Sequence, residues 1–433
     1  MNLYYLLFGS IISVIICWFL FRDMLSPTSI FCEMFAFSSY FAIISAKFYN
    51  TDISSNTVIY ILAQLSVTIF IAKIIHLNNN RRTIVTVNKD LVIIRNRYLI
   101  LLAATLVAFV IYTVLFGRMI LASRGTNFSE MIFSFRQTSL SKELDIPSYA
   151  IYLTKGIYAF AYFSFFIFVQ QRKVEKSRNI KSNGSIIYLL SVLMLFVVAI
   201  LSGARAEIVY FLCAVALYYS ILQNKTTISS FSFANSFKML LFISVGLLAF
   251  YYLSILLGRN ASDFFAYVGA YFGGPIISFD NYFNNPIVPN EVWGKELLYS
   301  LIHFLQKLGI IGGEISTVHL DYAFINGKLS VNVYTCFRAY IADVGIIGSF
   351  IAQVIYIVIY ERFYLSIMND CHAYEKINCL IIVYGIFAYG IFLSFYSNYL
   401  FALILSVHTL IQIVFVYFFK WFVTSKHLTI KFG

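Results

Sequence analysis

The chain has 433 residues, 61% of them hydrophobic and 12% charged, with a net charge of +12. A soluble globular domain carries roughly 25% charged and 45–50% apolar residues, so this composition excludes a string of soluble domains of about 150 residues each. It predicts instead one membrane domain over residues 1–433, all-α and polytopic.

A membrane-crossing helix needs about 20 mostly apolar residues. In chain order, eleven runs meet that need: 3–21, 27–46, 56–75, 98–117, 149–169, 185–201, 207–222, 239–257, 341–360, 378–395 and 400–419. They are long and continuous, whereas a transmembrane β-barrel shows short alternating segments. The opening MNLYYLLFGS has neither the basic stretch nor the small-residue cleavage site of a secretory leader, so 3–21 reads as a retained span. Alternate loops are basic: Arg81, Arg82, Lys89, Arg95 and Arg97, then Arg172, Lys173, Lys176, Arg178 and Lys181, then the tail with Lys426 and Lys431. By the positive-inside rule these face the cytoplasm. The C-terminus is then cytoplasmic, and eleven spans put the N-terminus outside. The positive charge reads as a topology signal. These loops lack the interleaved aromatics and glycines of a nucleic-acid surface, so no nucleic-acid partner is expected.

The opposite face carries a loop at 118–148, a tight turn at 202–206 and a long loop at 258–340. Residues 258–348 hold eleven of the 21 glycines, and three of the five prolines, Pro275, Pro286 and Pro289, lie there too. Loops beyond about 12–15 residues are usually functional or disordered. Stretches such as FFAYVGAYF (264–272) are too apolar for disorder. They predict short helices at the outer interface with glycine turns between them.

Charges in or beside spans are costly and are functional candidates by default. Arg118, Arg124 and Arg136 fall in the first outer loop, Arg205 in LSGARAE (201–207), and Arg259 and Arg338 at either end of the long loop. The guanidinium fork suits phosphate because it binds bidentately and stays charged. Arg118 and Arg259 equally suit headgroup anchors, and Glu207 suits a local pair for Arg205. Arg338 and Asp343 lie five residues apart in YTCFRAYIADVGIIG (334–348), about 140° apart if helical. Asp343 suits a base, a counter-charge or a structural ion pair. In YFGGPIISFD (271–280), Gly273, Gly274 and Pro275 must break a helix and permit close backbone approach, with Asp280 following. His303 and His319, near Glu314 and Asp321, match no metal-ligand spacing. The six cysteines form no CxxC pair and read as small buried hydrophobes. No nucleotide-binding motif is present, so a transferase built on this chain needs an already activated donor and no cofactor.

Three segments, LSGARAE, YFGGPIISFD and YTCFRAYIADVGIIG, together with many spans around one dominant outer loop, resemble the Wzy-type O-antigen polymerases, the oligosaccharide repeat-unit polymerases. That family's turn more usually reads SGSR; here Ala204 replaces the serine and Arg205 stays. The resemblance implies a fold related to the GT-C glycosyltransferases, in a bacterial inner membrane with the large loop periplasmic. It implies that a chain growing on undecaprenyl diphosphate is transferred as a block to a new lipid-linked repeat unit, with membrane lipids and a chain-length regulator as partners. On that reading Arg205 and Arg338 stabilise the departing diphosphate, then Arg136 and Arg124, with Arg259 nearby. Asp343, then Asp280 and His303, are candidates to take the acceptor proton. Gly274 and Pro275 line the substrate, and Tyr271, Tyr334 and Trp293 stack on sugars. The alternatives are an O-antigen ligase, a membrane acyltransferase, for which no convincing histidine is found, and a lipid-linked oligosaccharide flippase or other transporter, for which no internal repeat is seen.

Overall fold

The computed structural model describes residues 1–78, 95–140, 146–178, 183–224, 246, 248, 250–258, 263–285, 292–312, 320, 322–369 and 377–424. Among these, eight helices are long and apolar enough to cross a membrane. They are α1 (Asn2–Phe21), α2 (Pro27–Tyr49), α3 (Ser55–Leu77), α4 (Arg95–Leu121), α6 (Ser148–Arg178), α8 (Arg205–Asn224), α12 (Cys336–Asn369) and α14 (Val407–Thr424). The shorter elements are α5 (Phe128–Leu140), α7 (Leu189–Leu201), α9 (Phe264–Phe272), α10 (Gly274–Asn284), α11 (Tyr299–Lys307) and α13 (Cys379–Phe392), with a hairpin of β1 (Phe324–Ile325) and β2 (Lys328–Leu329). This is the architecture of an all-α, multi-pass membrane protein.

Several expected spans differ in detail. The run at 185–201 is a 3₁₀ turn (Asn183–Tyr188) leading into the 13-residue α7. The run at 400–419 is broken: a π turn (Leu400–Ile404) ends before α14 starts at Val407. Of the run at 239–257, residues 250–256 are helical, and most of its first half lies outside the described residues. Arg81, Arg82, Lys89, Lys181, Arg259, Glu314, His319, Asp321, Cys371, Lys426 and Lys431 also lie outside them.

The chain divides into two compact units. The first comprises Met1–Arg82, Ala261–Asn369 and Phe387–Val407; the second comprises Thr83–Asn260, Asp370–Ile386 and His408–Gly433.

In the first unit, α2 and α3 begin with serine caps. Ser26 accepts from Ser29 N–H (3.3 Å) with Pro27 next in line, and Ser54 accepts from Thr57 N–H (3.2 Å). A polar row then joins α3 to α12. Tyr60 Oη donates to Ser349 Oγ (2.7 Å), Gln64 Nε2 donates to both (2.9 and 3.1 Å), Gln353 Nε2 donates to Thr68 Oγ1 (2.8 Å), and His76 Nε2 meets Glu361 Oε2 (2.9 Å). Positions 60, 64, 68 and 76 form one stripe because residues four apart share a helix face. The partners rise in the same order, so α3 and α12 run parallel. Between helices in lipid there is no hydrophobic drive, and such polar contacts and close packing hold them together. Glu361 also accepts from Thr28 N–H (2.9 Å) and Thr28 Oγ1 (2.6 Å), which ties in α2.

The Gly-Gly-Pro segment sits where α9 turns into α10. A Cβ on Gly273 would overlap the backbone of Phe41 and Ala42. The close approach that the glycines permit is therefore to α2, and Ser38 Oγ caps it by donating to Phe272 O (2.7 Å). Pro275 occupies the first turn of α10, where a missing N–H costs nothing.

In the second unit, α4, α6, α7 and α8 pack around buried aromatics. Tyr98 stacks on Phe160 and donates to Ser164 Oγ (3.0 Å); Tyr218 donates to Ile382 O (2.9 Å). α5 starts with a capping box: Asn127 Oδ1 accepts from Glu130 N–H (2.9 Å), while Glu130 accepts from Thr126 N–H (2.8 Å) and Oγ1 (2.7 Å). Those bonds to Thr126, then the contacts with Asn127, hold the Glu130 carboxyl below its ordinary range.

Candidate functional site

α12 is two helical legs. Gly345, at φ +68° and ψ −178°, takes a conformation essentially reserved for glycine. It separates a short leg, 336–344, from the long apolar one. Arg338 and Asp343 both lie on the short leg, whose first residue is fixed by Cys336 N–H donating to Ser394 O (3.0 Å).

Arg338 is 5% exposed. Its guanidinium carbon lies 3.9 Å from the centre of the Tyr334 ring and 4.9 Å from that of Tyr282, and the two rings stand at 71° to each other. Two aromatic faces thus hold the cation by its quadrupole attraction and limit its rotation. Glu296 Oε2 lies 3.4 Å from Arg338 Nε. Arg338 Nη1 is buried and has no hydrogen-bond partner among the described residues. A buried charged donor left in that state is expensive, which marks it as a position for an anionic oxygen.

Asp343 does not meet Arg338 head-on, as their 140° separation on a helix foretells. Its Oδ2 accepts the main-chain N–H groups of Glu296 (3.0 Å) and Leu297 (2.5 Å). Asn398 Nδ2 donates to Leu297 O (3.0 Å), and Gly294 turns at φ +82°. The 293–298 turn is therefore held by its backbone, which fixes where the Glu296 side chain starts. Burial, then the negative charges of Glu296 and Asp343, push the Tyr282 hydroxyl up to about 12 against the opposing pull of Arg338. Tyr282 stays a neutral phenol at physiological pH. The cluster can hold an anion at Arg338 and receive a proton at a carboxylate beside it.

The other expected residues of this unit make the following contacts. Asp280 Oδ1 accepts Ser54 N–H (2.8 Å) and Asn284 Nδ2 (3.0 Å), joining α10 to the start of α3. Tyr271 packs against Tyr267, their ring centres 4.8 Å apart. A Cβ on Gly274 would meet Val331 at 3.1 Å. His303 stacks nearly parallel on Tyr299 at 5.7 Å, and Trp293 is 62% exposed.

In the second unit, Arg205 is buried at the start of α8. It donates to Ser254 Oγ and lies 4.3 Å over the Phe250 ring. Glu207 pairs with Lys155 at 3.8 Å. Gly203 turns at φ +63°, and a Cβ there would touch Arg136 Cβ at 3.1 Å, so Arg136 lies over the 202–204 turn. Arg118 and Arg124 are exposed. Among the described residues no group of three or more His, Cys, Asp or Glu side chains is placed to hold a metal.

Two members of the Arg338 cluster carry no sequence signal as a site. Glu296, in VWGKELL, stands in no recognisable motif, and Tyr282 is one of 33 tyrosines. An acidic residue amid an apolar stretch is the one clue that points to Glu296. No family model, curated protein or solved structure matches this chain. Fold and composition define a multi-pass α-helical membrane protein.

Proposed function

We propose that the chain polymerises surface-polysaccharide repeat units, as the resemblance to O-antigen polymerases implies, in a bacterial inner membrane with the 258–340 loop periplasmic and a GT-C-related fold. The donor is a chain on undecaprenyl diphosphate. The acceptor is the terminal hydroxyl of a new lipid-linked repeat unit. The observation that carries this reading is the Arg338 box: a buried cation clamped by two rings, with Nη1 lacking a partner. As the sugar C1–O bond breaks, charge grows on the departing diphosphate, and a preorganised guanidinium in a water-poor site stabilises it. The resemblance assigns the same role to Arg205 as a second cation.

The test is purified protein in lipid with lipid-linked repeat units, comparing wild type with Arg338→Ala and Arg205→Ala. The reading expects a polymer ladder from wild type and its loss in Arg338→Ala. Full activity in both variants sinks the role of the arginines, and no ladder from wild type sinks the polymerase. In cells, a deletion strain with core carrying single repeat units agrees with a polymerase, whereas bare core with accumulated lipid-linked polymer indicates a ligase.

A second reading, a transporter of lipid-linked oligosaccharide, is favoured by the polar row between α3 and α12. Ionisable groups inside spanning helices often mark transport paths. Here His76 meets a fully buried Glu361, and the side-chain carbonyls of Gln64 and Gln353 have no donor among the described residues. Movement of substrate across vesicles without polymerisation selects it.

A further inference from the structure

We propose that Glu296 receives the proton of the acceptor hydroxyl, and that Asp343 is the positioning residue that holds Glu296 in place. This rests on the polymerase reading above.

Three observations carry it. First, Arg338 addresses Glu296 through Nε at 3.4 Å, and its Nη1 has no hydrogen-bond partner among the described residues, so one guanidinium carries both the carboxylate's partner and an unsatisfied donor. A base for the attacking hydroxyl and a cation for the leaving oxygen both belong near the reacting sugar carbon, and a planar, permanently charged group beside a carboxylate brings the two together. Second, Asp343 is committed to main chain: one of its oxygens accepts two N–H groups, at Glu296 and Leu297. Those two bonds fix the main chain on which Glu296 stands, which is a positioning role. Third, Glu296 is anchored by its backbone, through Asp343 and through Asn398 on Leu297, so its carboxylate is carried on a fixed stem beside Arg338. Among the described residues, Arg338 and Asp343 on α12, Tyr282 on α10 and Tyr334 just before α12 are the charged and titratable groups of this cluster. Tyr282 remains a neutral phenol.

The step balances simply. The acceptor oxygen forms a bond to C1 of the donor sugar, and the bond from C1 to the diphosphate oxygen breaks. The electron pair leaves with undecaprenyl diphosphate at Arg338. The hydroxyl proton passes to a Glu296 carboxylate oxygen and is later lost to water.

The experiment uses the full-length protein in lipid with lipid-linked repeat units, comparing wild type, Glu296→Gln, Glu296→Asp and Asp343→Asn. kcat, KM and the pH profile of kcat are read, and monodispersity and melting check the fold. A general base contributes about 10²–10⁴-fold. Glu296→Gln is expected to lower kcat by about that factor with KM little changed, and to remove the loss of rate that follows protonation of one group at low pH. Glu296→Asp, with the same charge on a shorter arm, keeps that pH limb at reduced kcat. Asp343→Asn keeps the limb too and lowers kcat less than Glu296→Gln does. Wild-type kcat in folded Glu296→Gln, or an unchanged acid limb in it, overturns the proposal while the polymerase reading stands. Loss of the limb in Asp343→Asn alone assigns the proton to Asp343 and also overturns it. If wild-type protein makes no polymer, the reading underneath has failed and this assignment falls with it.

Discussion

Glu361→Ala removes an acceptor that is wholly buried in the long leg of α12. Three donors lose their partner: Thr28 N–H at 2.9 Å, Thr28 Oγ1 at 2.6 Å and His76 Nε2 at 2.9 Å. In a soluble core, breaking one side of a buried charged pair costs about 3–5 kcal/mol. In lipid the unfolded reference also finds partners, and polar contacts between helices average ~0.6 and reach ~1.7 kcal/mol. Three such contacts give roughly 2–5 kcal/mol. The lower half of that range is expected if the three share one optimum geometry. The assay is the unfolding free energy in bicelles, by denaturant titration or steric trapping. Glu361→Gln keeps an oxygen for Thr28 and is expected to lose less than half as much. A double-mutant cycle with His76→Ala is expected to show a coupling of at least ~0.6 kcal/mol. An Ala variant within about 0.5 kcal/mol of wild type, the usual range for an uninvolved surface site, refutes the reasoning, as does strict additivity with His76→Ala.

Gly273→Ala places a methyl into α2 backbone that cannot yield; overpacking costs about 1–3 kcal/mol, and a lowered melting temperature checks it. Arg338→Lys keeps the charge but loses the planar fork between Tyr282 and Tyr334, so polymerisation is expected to fall by about 10²–10³-fold, the effect of losing one oxyanion donor; wild-type rates would show that charge alone suffices. Asn127→Ala removes the α5 cap and is expected to cost about 1 kcal/mol, seen as faster hydrogen exchange at residues 128–131. Glu130 has a folded pKa below its ordinary value of about 4.3, so its contribution is present above that value and disappears as pH falls through the folded one. Glu130→Gln should therefore melt earlier than wild type at neutral pH, and the gap should close in acid.

The long helices were legible because lipid imposes a length and an apolarity that any reader of the chain can count. Residues 3–21, 27–46 and 56–75 map onto α1, α2 and α3 within a few positions. The 400–419 run is equally apolar but bends at a π turn, which hydropathy does not register. Gly273-Gly274-Pro275 announced a break, and its partner was hidden because which helix approaches is a tertiary matter. The four-residue spacing of Tyr60, Gln64, Thr68 and His76 was present in the sequence, but only pairing with Ser349, Gln353 and Glu361 gives it meaning. Arg338 stood out as a charge beside a span. Glu296 did not, because its place depends on two backbone bonds from Asp343 across 46 and 47 residues of chain.

The row on α3 also sets a schedule for biosynthesis. Its partners on α12 follow 285 to 289 residues later. At about 5–20 residues per second of synthesis, α3 waits roughly 15–60 s before α12 is made. Through that interval Gln64, Thr68 and His76 have none of their α12 partners, so the nascent N-terminal helices depend on the insertion machinery, or on one another, to shelter that side. A chain truncated before α12 would carry the wait indefinitely, and quality-control proteases in the membrane would meet an unfinished seam.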